Sequence, residues 1–289
     1  MVSSIVLSQT TAVLELDEFV RLTATVLPNN AANKSVVWSS SNEDVAPVRN
    51  GRVDAYDYGT AIITCEAADG SGVKATCVVY IVNPSTYVDL GLPSGTLWAT
   101  CNIGASSPED YGDYFAWGET EGYDSGKTAF SWSTYKWCKG SIRTMTKYCS
   151  NSSYGYEGFT DDLNELELAD DAAYVNWGPA WRMPSMEQFE ELINSSYTTS
   201  EWTTQNGVYG RKITSLSNGN SIFLPAAGYR SGSSLDYAGS YGGYWSRALE
   251  SVSMYGARGS GFDSSSIIAG RGNHRCSGQS VRPVRNTTE

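Results

Sequence analysis

Between Tyr229 and Ser277 the chain is more than half Gly, Ser and Tyr, and it adds Arg230, Arg247, Arg258, Arg271 and Arg275 without a single Lys. These types in this mixture can do recognition. Tyr gives a large, stiff, amphipathic contact at low entropic cost, Ser and Gly let a surface adapt, and Arg brings a planar fork of donors. The flanks differ in kind. Ile222-Phe223-Leu224-Pro225-Ala226-Ala227-Gly228 precedes the segment and Val281-Arg282-Pro283-Val284 follows it, and both are short apolar runs expected to be core strands. The pattern predicts a chemically mixed insert held in a rigid frame.

Bond-making chemistry finds little support. One histidine, His274, excludes a multi-histidine metal site within the chain, and no Ser-His-Asp triad is expected around it. Asp161-Asp162 and Asp170-Asp171 are the paired carboxylates, and their expected role is to cap helices or face solvent. Trp98, Trp117, Trp177, Trp181 and Trp245 are expected to pack rather than to serve as sugar platforms. No cofactor and no metal are expected.

Six cysteines remain to be sorted. Cys65 and Cys77 flank Asp69-Gly70-Ser71-Gly72, and a hairpin register centred on that turn sets them opposite each other as a cross-strand disulfide. Cys138 and Cys149 bracket a short polar loop and form the second expected pair, while Cys101 and Cys276 are expected to stay unpaired. Two local bridges would place the chain in an oxidising compartment.

Composition narrows the partners. The 289 residues are 40% hydrophobic and 12% aromatic, as for a globular chain of one large or two ordinary domains. A formal charge of −11 argues against nucleic acid, whose binding rests on phosphate neutralisation. From Tyr229 onward seven Arg face four acids, a local reversal that favours an anionic or polar ligand. No apolar run is long enough to span a membrane, so no membrane insertion is expected. No charged-then-apolar leader follows Met1, and no export signal is read from these residues.

The elements that must position these side chains fall into two domains. Over 1–83, strand signals recur at Ser4–Leu7, Val13–Leu16, Phe19–Val26, Ser35–Ser39, Val45–Val48, Gly51–Ala55, Thr60–Glu66 and Ala75–Val82, with Leu22, Ala24 and Val26 facing one way and Arg21, Thr23 and Thr25 the other. That spacing predicts an all-β antiparallel sandwich. Leu27-Pro28, Val37-Trp38-Ser39-Ser40-Ser41-Asn42-Glu43-Asp44-Val45-Ala46, Gly51-Arg52-Val53 and Gly59-Thr60-Ala61-Ile62-Ile63-Thr64 resemble the group-2 bacterial immunoglobulin-like domain. The resemblance implies a spacer or adhesion module of bacterial surface and phage tail proteins, with Trp38 as its core tryptophan.

After an Asn83-Pro84-Ser85-Thr86 linker, the second domain spans 86–286. Leu163, Leu166 and Ala169 mark one short helix; Ser185 is the expected N-cap of another, with Gln188 completing a capping box and Met186, Phe189, Leu192 and Ile193 as the apolar stripe. Leu92-Pro93-Ser94-Gly95-Thr96-Leu97-Trp98-Ala99, Asn102-Ile103-Gly104-Ala105, Phe115-Ala116-Trp117-Gly118-Glu119, Trp181-Arg182-Met183-Pro184-Ser185, Leu224-Pro225-Ala226-Ala227-Gly228-Tyr229-Arg230, Tyr244-Trp245-Ser246 and Val281-Arg282-Pro283-Val284 resemble the Fibrobacter succinogenes major paralogous domain, abundant in gut Bacteroidetes. The resemblance implies the α+β C-type-lectin-like fold of the formylglycine-generating enzyme, with paired terminal strands and long loops on one face. That enzyme's paired reactive cysteines have no counterpart beside Cys276, and the Glu-Pro-Asn, Gln-Pro-Asp and Trp-Asn-Asp motifs of calcium-dependent lectins are missing.

Arg271-Gly272-Asn273-His274 and Cys276-Ser277, just before Gly278-Gln279-Ser280, are similar to the variable positions of diversity-generating retroelement proteins, since each type lies within reach of a mutated Asn codon. On that resemblance Cys276 would be a product of diversification. The combined expectation is a non-enzymatic binding or adhesion protein, extracellular at a cell surface or on a phage virion, whose partner is a protein or glycan on a cell surface. Its face would be built from Tyr237, Tyr241, Arg247, Tyr255, Arg258, Phe262, Arg271, Asn273 and His274. The alternatives are a carbohydrate-active or modifying enzyme of the formylglycine-generating-enzyme-like fold, marked by paired carboxylates in its cleft, and a structural pilus-tip or tail subunit.

Overall fold

A computed structural model describes residues 1–81, 86–250 and 253–286. The Asn83–Ser85 part of the expected linker lies outside the described residues. The chain divides into two compact units, Met1–Thr86 and Tyr87–Glu289.

The first unit is all-β. Its strands are β1 (Ser4–Leu7), β2 (Thr11–Leu14), β3 (Phe19–Arg21), β4 (Ala24–Leu27), β5 (Val36–Ser40), β6 (Val48–Arg49), β7 (Arg52–Asp54), β8 (Gly59–Ala67) and β9 (Lys74–Ile81). They form a four-stranded sheet β2-β9-β8-β5, a three-stranded sheet β3-β7-β6 and the pair β1-β4. The alternation in 21–26 is as expected: Leu22 and Val26 are buried, and Arg21, Thr23 and Thr25 are exposed. The expected single strand over Phe19–Val26 nevertheless breaks in two, because β3 pairs with β7 and β4 with β1. Trp38 is half-buried at the edge of the core rather than at its centre.

The expected disulfides are absent: all six cysteines are free thiols. The β8–β9 ladder pairs Cys65 with Ala75 and Ile63 with Cys77, so the hairpin is centred on Gly70, one residue before the expected centre. Both thiols then lie diagonally on the core face, fully buried. In the second unit the Cys138 thiol donates to the Trp132 carbonyl (3.0 Å) and the Cys149 thiol to the Asn151 carbonyl (3.3 Å), so the two sulfurs serve different backbone acceptors.

The second unit is mostly β with few helices. Strand β10 (Tyr87–Asp89) pairs with β11 (Thr96–Ala99), which pairs with the last strand, β20 (Val284–Asn286), so the two ends of the unit close on each other. Next to this lies an antiparallel sheet of β12 (Thr198–Gln205), β13 (Val208–Ser215) and β14 (Ser221–Pro225). The hairpin β15 (Tyr229–Ser231) and β16 (Ser234–Asp236) leads into a third sheet of β17 (Gly242–Leu249), β18 (Gly256–Phe262) and β19 (Ile267–His274), in that order.

Helix α1 covers Ala172–Trp177 and α2 covers Met186–Leu192. Ser185 and Gln188 make the expected capping box, and Met186, Phe189 and Leu192 are buried. The expected helix over Leu163–Ala169 does not form. There the chain is extended along β17, with Leu166 N–H on the Arg247 carbonyl (3.0 Å), and only a 3-10 turn at Leu168–Asp170 precedes α1. Trp98, Trp117, Trp181 and Trp245 are buried packing residues, as are Leu224 and Val281 of the two flanking runs.

The carboxylate pairs brace the backbone. Asp171 caps α1 and also accepts from the Met183 N–H and from Arg182 Nε (2.8 Å). Buried Asp170 accepts from the Tyr148 hydroxyl (2.7 Å) and Lys147 (2.6 Å), and Asp161 from the N–H groups of Tyr148 and Cys149. Two arginines are fully buried as well. Arg282 donates to Asn102 Oδ1 and to the carbonyls of Ala99, Thr100 and Phe223; Arg275 donates to those of Tyr148 and Met254.

Candidate binding face

The segment 229–277 supplies both a surface and part of the core. On β18 every residue except Arg258 is buried, whereas the edge strand β19 exposes Ile268, Gly270, Arg271, Gly272 and His274. Facing pairs on an antiparallel ladder share a side of the sheet. Ile267 and Ala269 face Phe262 and Ser260 on the core side, and Ile268 faces Gly261 on the other. Beyond that the register shifts: Ser260 pairs with Ala269 but Gly259 with Arg271, which leaves Gly270 (φ 83°) as the extra residue of a bulge. The bulge moves Arg271 and Asn273 onto the side of Ile268, Gly259 and Gly261. Without it both would point at the core.

On that side Tyr229, Tyr237, Ser240, Tyr241, Asp263, Arg271 and Asn273 line a cleft of about 400 Å³. Tyr229 stacks on Tyr237 at 5.8 Å and 27° between planes, and meets Tyr241 edge-on at 6.2 Å. The Arg271 guanidinium lies 5.0 Å from the Tyr241 ring centroid. Gly261 is what lets these two close in: a Cβ there would stand 2.5 Å from Tyr241 Oη and 2.8 Å from Arg271 Cδ. Tyr237 is 64% exposed and sits at φ 58°, a left-handed conformation uncommon for a bulky residue. Its carbonyl accepts from the N–H groups of Ser240 and Tyr241 and from Ser240 Oγ, which together fix the ring at the mouth of the cleft.

Electrostatics divide the cleft. Asp263 closes the β18–β19 turn: Oδ1 accepts from Ser265 Oγ (2.6 Å) and from the N–H groups of Ser265 and Ser266, which holds its carboxyl down at about 2. Burial pushes the Tyr241 phenol up, against the pull of the Arg271 charge and the Asn273 amide. Among the described residues Arg271 has no ion pair or hydrogen bond, so its fork of donors is open to a ligand.

Of the nine expected face residues the cleft gathers Tyr237, Tyr241, Arg271 and Asn273. His274 and Tyr255 form a separate aromatic patch, edge to face at 5.3 Å, with Trp132 5.9 Å from His274. Arg258 is half-buried on the opposite side of the sheet. Arg247 turns to the Met183 carbonyl (3.2 Å) and Glu165 (3.4 Å). Phe262 is 1% exposed and stacks on Tyr244 in the core, so it presents nothing to a ligand. Cys276 is buried too, in a cluster that includes Tyr135 and Cys138, and burial pushes its thiol up to about 12. Tyr229, Ser240 and Asp263 are lining residues that sequence reasoning passed over. Asp263 carried a signal, since Asp followed by serines is turn chemistry.

A second cleft, of about 440 Å³, contains Glu119, Glu121, Lys127 and Lys136. Its buried pair, Lys127–Glu119 at 2.6 Å, is internally neutralised, and Glu119 also accepts the Lys136 N–H.

Comparison with known proteins bears on the first unit. A minor capsid protein of Enterobacteria phage T3 is 45% identical over 84 residues, covering 29% of this chain and 18% of that protein. An uncharacterised protein of Clostridium acetobutylicum is 40% identical over 82 residues (28% and 8%), and a kappa-carrageenase of Pseudoalteromonas carrageenovora 47% identical over 64 residues (22% and 16%). The chain thus spans less than a fifth of the length of each of these curated relatives. Residues 1–79 match the model of the bacterial Ig-like domain (group 2), and the N-terminal unit is an immunoglobulin-like domain of that group.

Proposed function

We propose that the chain is a surface- or virion-displayed binding protein in which the immunoglobulin-like unit is a spacer and the second unit is the binding head. The observation that carries this reading is the tyrosine cleft: three tyrosines, one held in a left-handed conformation, beside an arginine that lies against the Tyr241 ring and has no side-chain ion pair or hydrogen bond among the described residues. Exposed aromatic and arginine anchors around a concavity suit a protein or glycan on a cell surface. An immunoglobulin-like domain is compatible with a surface- or virion-associated protein, and the named phage relative is a capsid component. No helix among the described residues is long and apolar enough to cross a membrane.

The head is read as a C-type-lectin-like domain of the Fibrobacter succinogenes major paralogous type. Support comes from the β11–β20 pairing that joins its ends, and from the burial of Trp98, Trp117, Trp181, Trp245, Leu224 and Val281 from the blocks that carry the resemblance. Retroelement diversification would fall on Arg271, Gly272, Asn273 and His274 of the edge strand and on Cys276 and Ser277 beyond it, of which Cys276 is buried. The head is read as non-catalytic: Asp263 already holds its own turn, and among the described residues no second carboxylate lines the cleft.

The test is capture of intact bacterial cells, and of arrayed glycans and surface proteins, by the full chain. Tyr237→Ala and Arg271→Ala should each lower capture roughly tenfold while leaving the melting temperature in place. Capture at the wild-type level by both variants would move the binding face elsewhere.

A further inference from the structure

A separate site lies where β17, β20 and the start of α2 meet. Arg182, Arg247 and Arg285 line one polar cleft of about 130 Å³ together with Glu165 and Gln188. The backbone fixes all three arginines. Arg182 and Val284 exchange both N–H···O bonds at 2.9 Å, which ties Arg182 to the strand that carries Arg285, and Arg247 N–H donates to the Pro184 carbonyl two residues on from Arg182.

Three cations so close together need three counter-charges, and two are at hand. Arg182 Nε pairs with fully buried Asp171 at 2.8 Å. Arg247 Nε reaches Glu165 at 3.4 Å; the more remote Glu187 also feels its charge. Arg285 has neither. Its guanidinium lies 4.9 Å from the Tyr87 ring centroid, and its Nη1 is shut off from solvent with no hydrogen-bond partner among the described residues. A buried donor left unmade is costly, most of all on a charged group. The Nη groups of Arg182 and Nη2 of Arg247 add further donors that no described residue accepts from.

We propose that this cleft is an anion site that takes one small oxyanion, a carboxylate or a sulfate-sized tetrahedral group, with Arg285 as its anchor and Arg182 and Arg247 as flanking donors. The guest supplies the third counter-charge. Planar guanidinium forks match two-oxygen acceptors in bidentate fashion, and the volume suits a single such group rather than a chain of them. Glu165, whose side chain is about half exposed (49%), competes with the guest for Arg247.

The experiment is calorimetric titration of the full chain at low ionic strength with sodium sulfate, with sodium acetate and with sodium chloride at matched ionic strength. Sulfate or acetate should bind saturably at one site, and which of the two binds tighter separates a tetrahedral guest from a carboxylate. Chloride should not reproduce it. Arg285→Gln should weaken binding roughly tenfold or more, as expected for losing hydrogen bonds to a charged group. Glu165→Gln removes the competing carboxylate from a partly exposed position and should tighten binding by about threefold. Arg21→Ala, an exposed cation of the first unit outside both clefts, should leave it unchanged. Chloride binding as well as sulfate and acetate, or wild-type affinity in Arg285→Gln, overturns the proposal. So does an unchanged affinity in Glu165→Gln, which decides the matter if Arg285→Gln fails to fold by circular dichroism.

Discussion

Strands β18 and β19 lie side by side in one sheet, come from one stretch of Gly-, Ser- and Arg-rich sequence, and have opposite roles. β18 is the covered middle strand. Its glycines keep the sheet close enough for Tyr244, Trp245 and Phe262 to pack, and a Cβ on Gly259 would fall 2.0 Å from the Tyr244 carbonyl oxygen. β19 is the edge, and after the Gly270 bulge it turns Arg271 and Asn273 outward. Composition alone therefore does not separate an exposed face from its support. Register does, since one extra residue decides which side of a sheet an arginine occupies.

The largest effect should come from the buried side of the comparison. Trp245 is fully buried and its Nε1 donates to the Phe115 carbonyl at 2.8 Å. Trp245→Ala should cost about 3–5 kcal/mol in urea unfolding, by lost burial and a cavity. A loss below about 1 kcal/mol would mean that 229–277 is a surface insert after all and that β17 and β18 contribute little to the core.

Cys276 tests where the edge strand ends and the core resumes. With the thiol held at about 12 against an ordinary 9.0, the native thiolate population at pH 8 is about a thousandth of that in the unfolded chain. Iodoacetamide labelling of native Cys276 should slow accordingly and recover in denaturant. The sign for stability follows: a raised native value contributes stability that is complete below pH 9 and lost as the pH climbs towards 12. Fast native labelling at pH 8 would place residue 276 on the variable surface instead.

How far these features could be read from sequence depended on how local they were. Ser185 and Gln188 are three residues apart and specify a cap on their own, so the helix after them was legible. The tryptophan blocks were legible as packing because large aromatics seldom stay exposed. The Cys65–Cys77 pair was not, because a shift of the hairpin centre from Ser71 to Gly70 changes every cross-strand partner while leaving the alternation untouched. Leu163, Leu166 and Ala169 have helical spacing, but that segment finds its hydrogen bonds on β17, and tertiary pairing overrides a weak local preference. Of the nine expected face residues, Tyr237, Tyr241, Arg271 and Asn273 line one cleft. Phe262 and Arg258 lie elsewhere, both on the opposite side of β18, which the Gly- and Ser-rich alternation of that strand did not mark.

Gly261 links the two strands directly. The atoms a new Cβ would meet, Tyr241 Oη and Arg271 Cδ, are at or near the ends of side chains that can swing aside, so Gly261→Ala should cost only about 1 kcal/mol in stability. The same swing disperses the cleft, so target capture should fall by about tenfold. Capture that survives while the protein melts normally would mean that the stacked arrangement of Tyr241 and Arg271 is not what a ligand meets.

The smallest effect on stability belongs to the exposed side. Arg271→Ala removes a guanidinium whose recorded internal contact is the Tyr241 face, so thermal or urea unfolding should move by no more than about 0.5 kcal/mol. Tyr237→Ala should behave alike, and relief of its left-handed backbone does not enter, because alanine inherits the same strain. What separates these residues from Trp245 is the ratio of the two readouts. Truncation in the core lowers stability first and binding only as the fold is lost; truncation at Arg271 or Tyr237 lowers binding alone. Measuring both on the same samples along β19 should therefore sort its residues by the side they take: Arg271 and Asn273 with Tyr241, Ile267 and Ala269 with Phe262 and Ser260 in the core. A sorting that follows sequence position instead, with neighbours behaving alike regardless of side, would break the register argument and the face built on it.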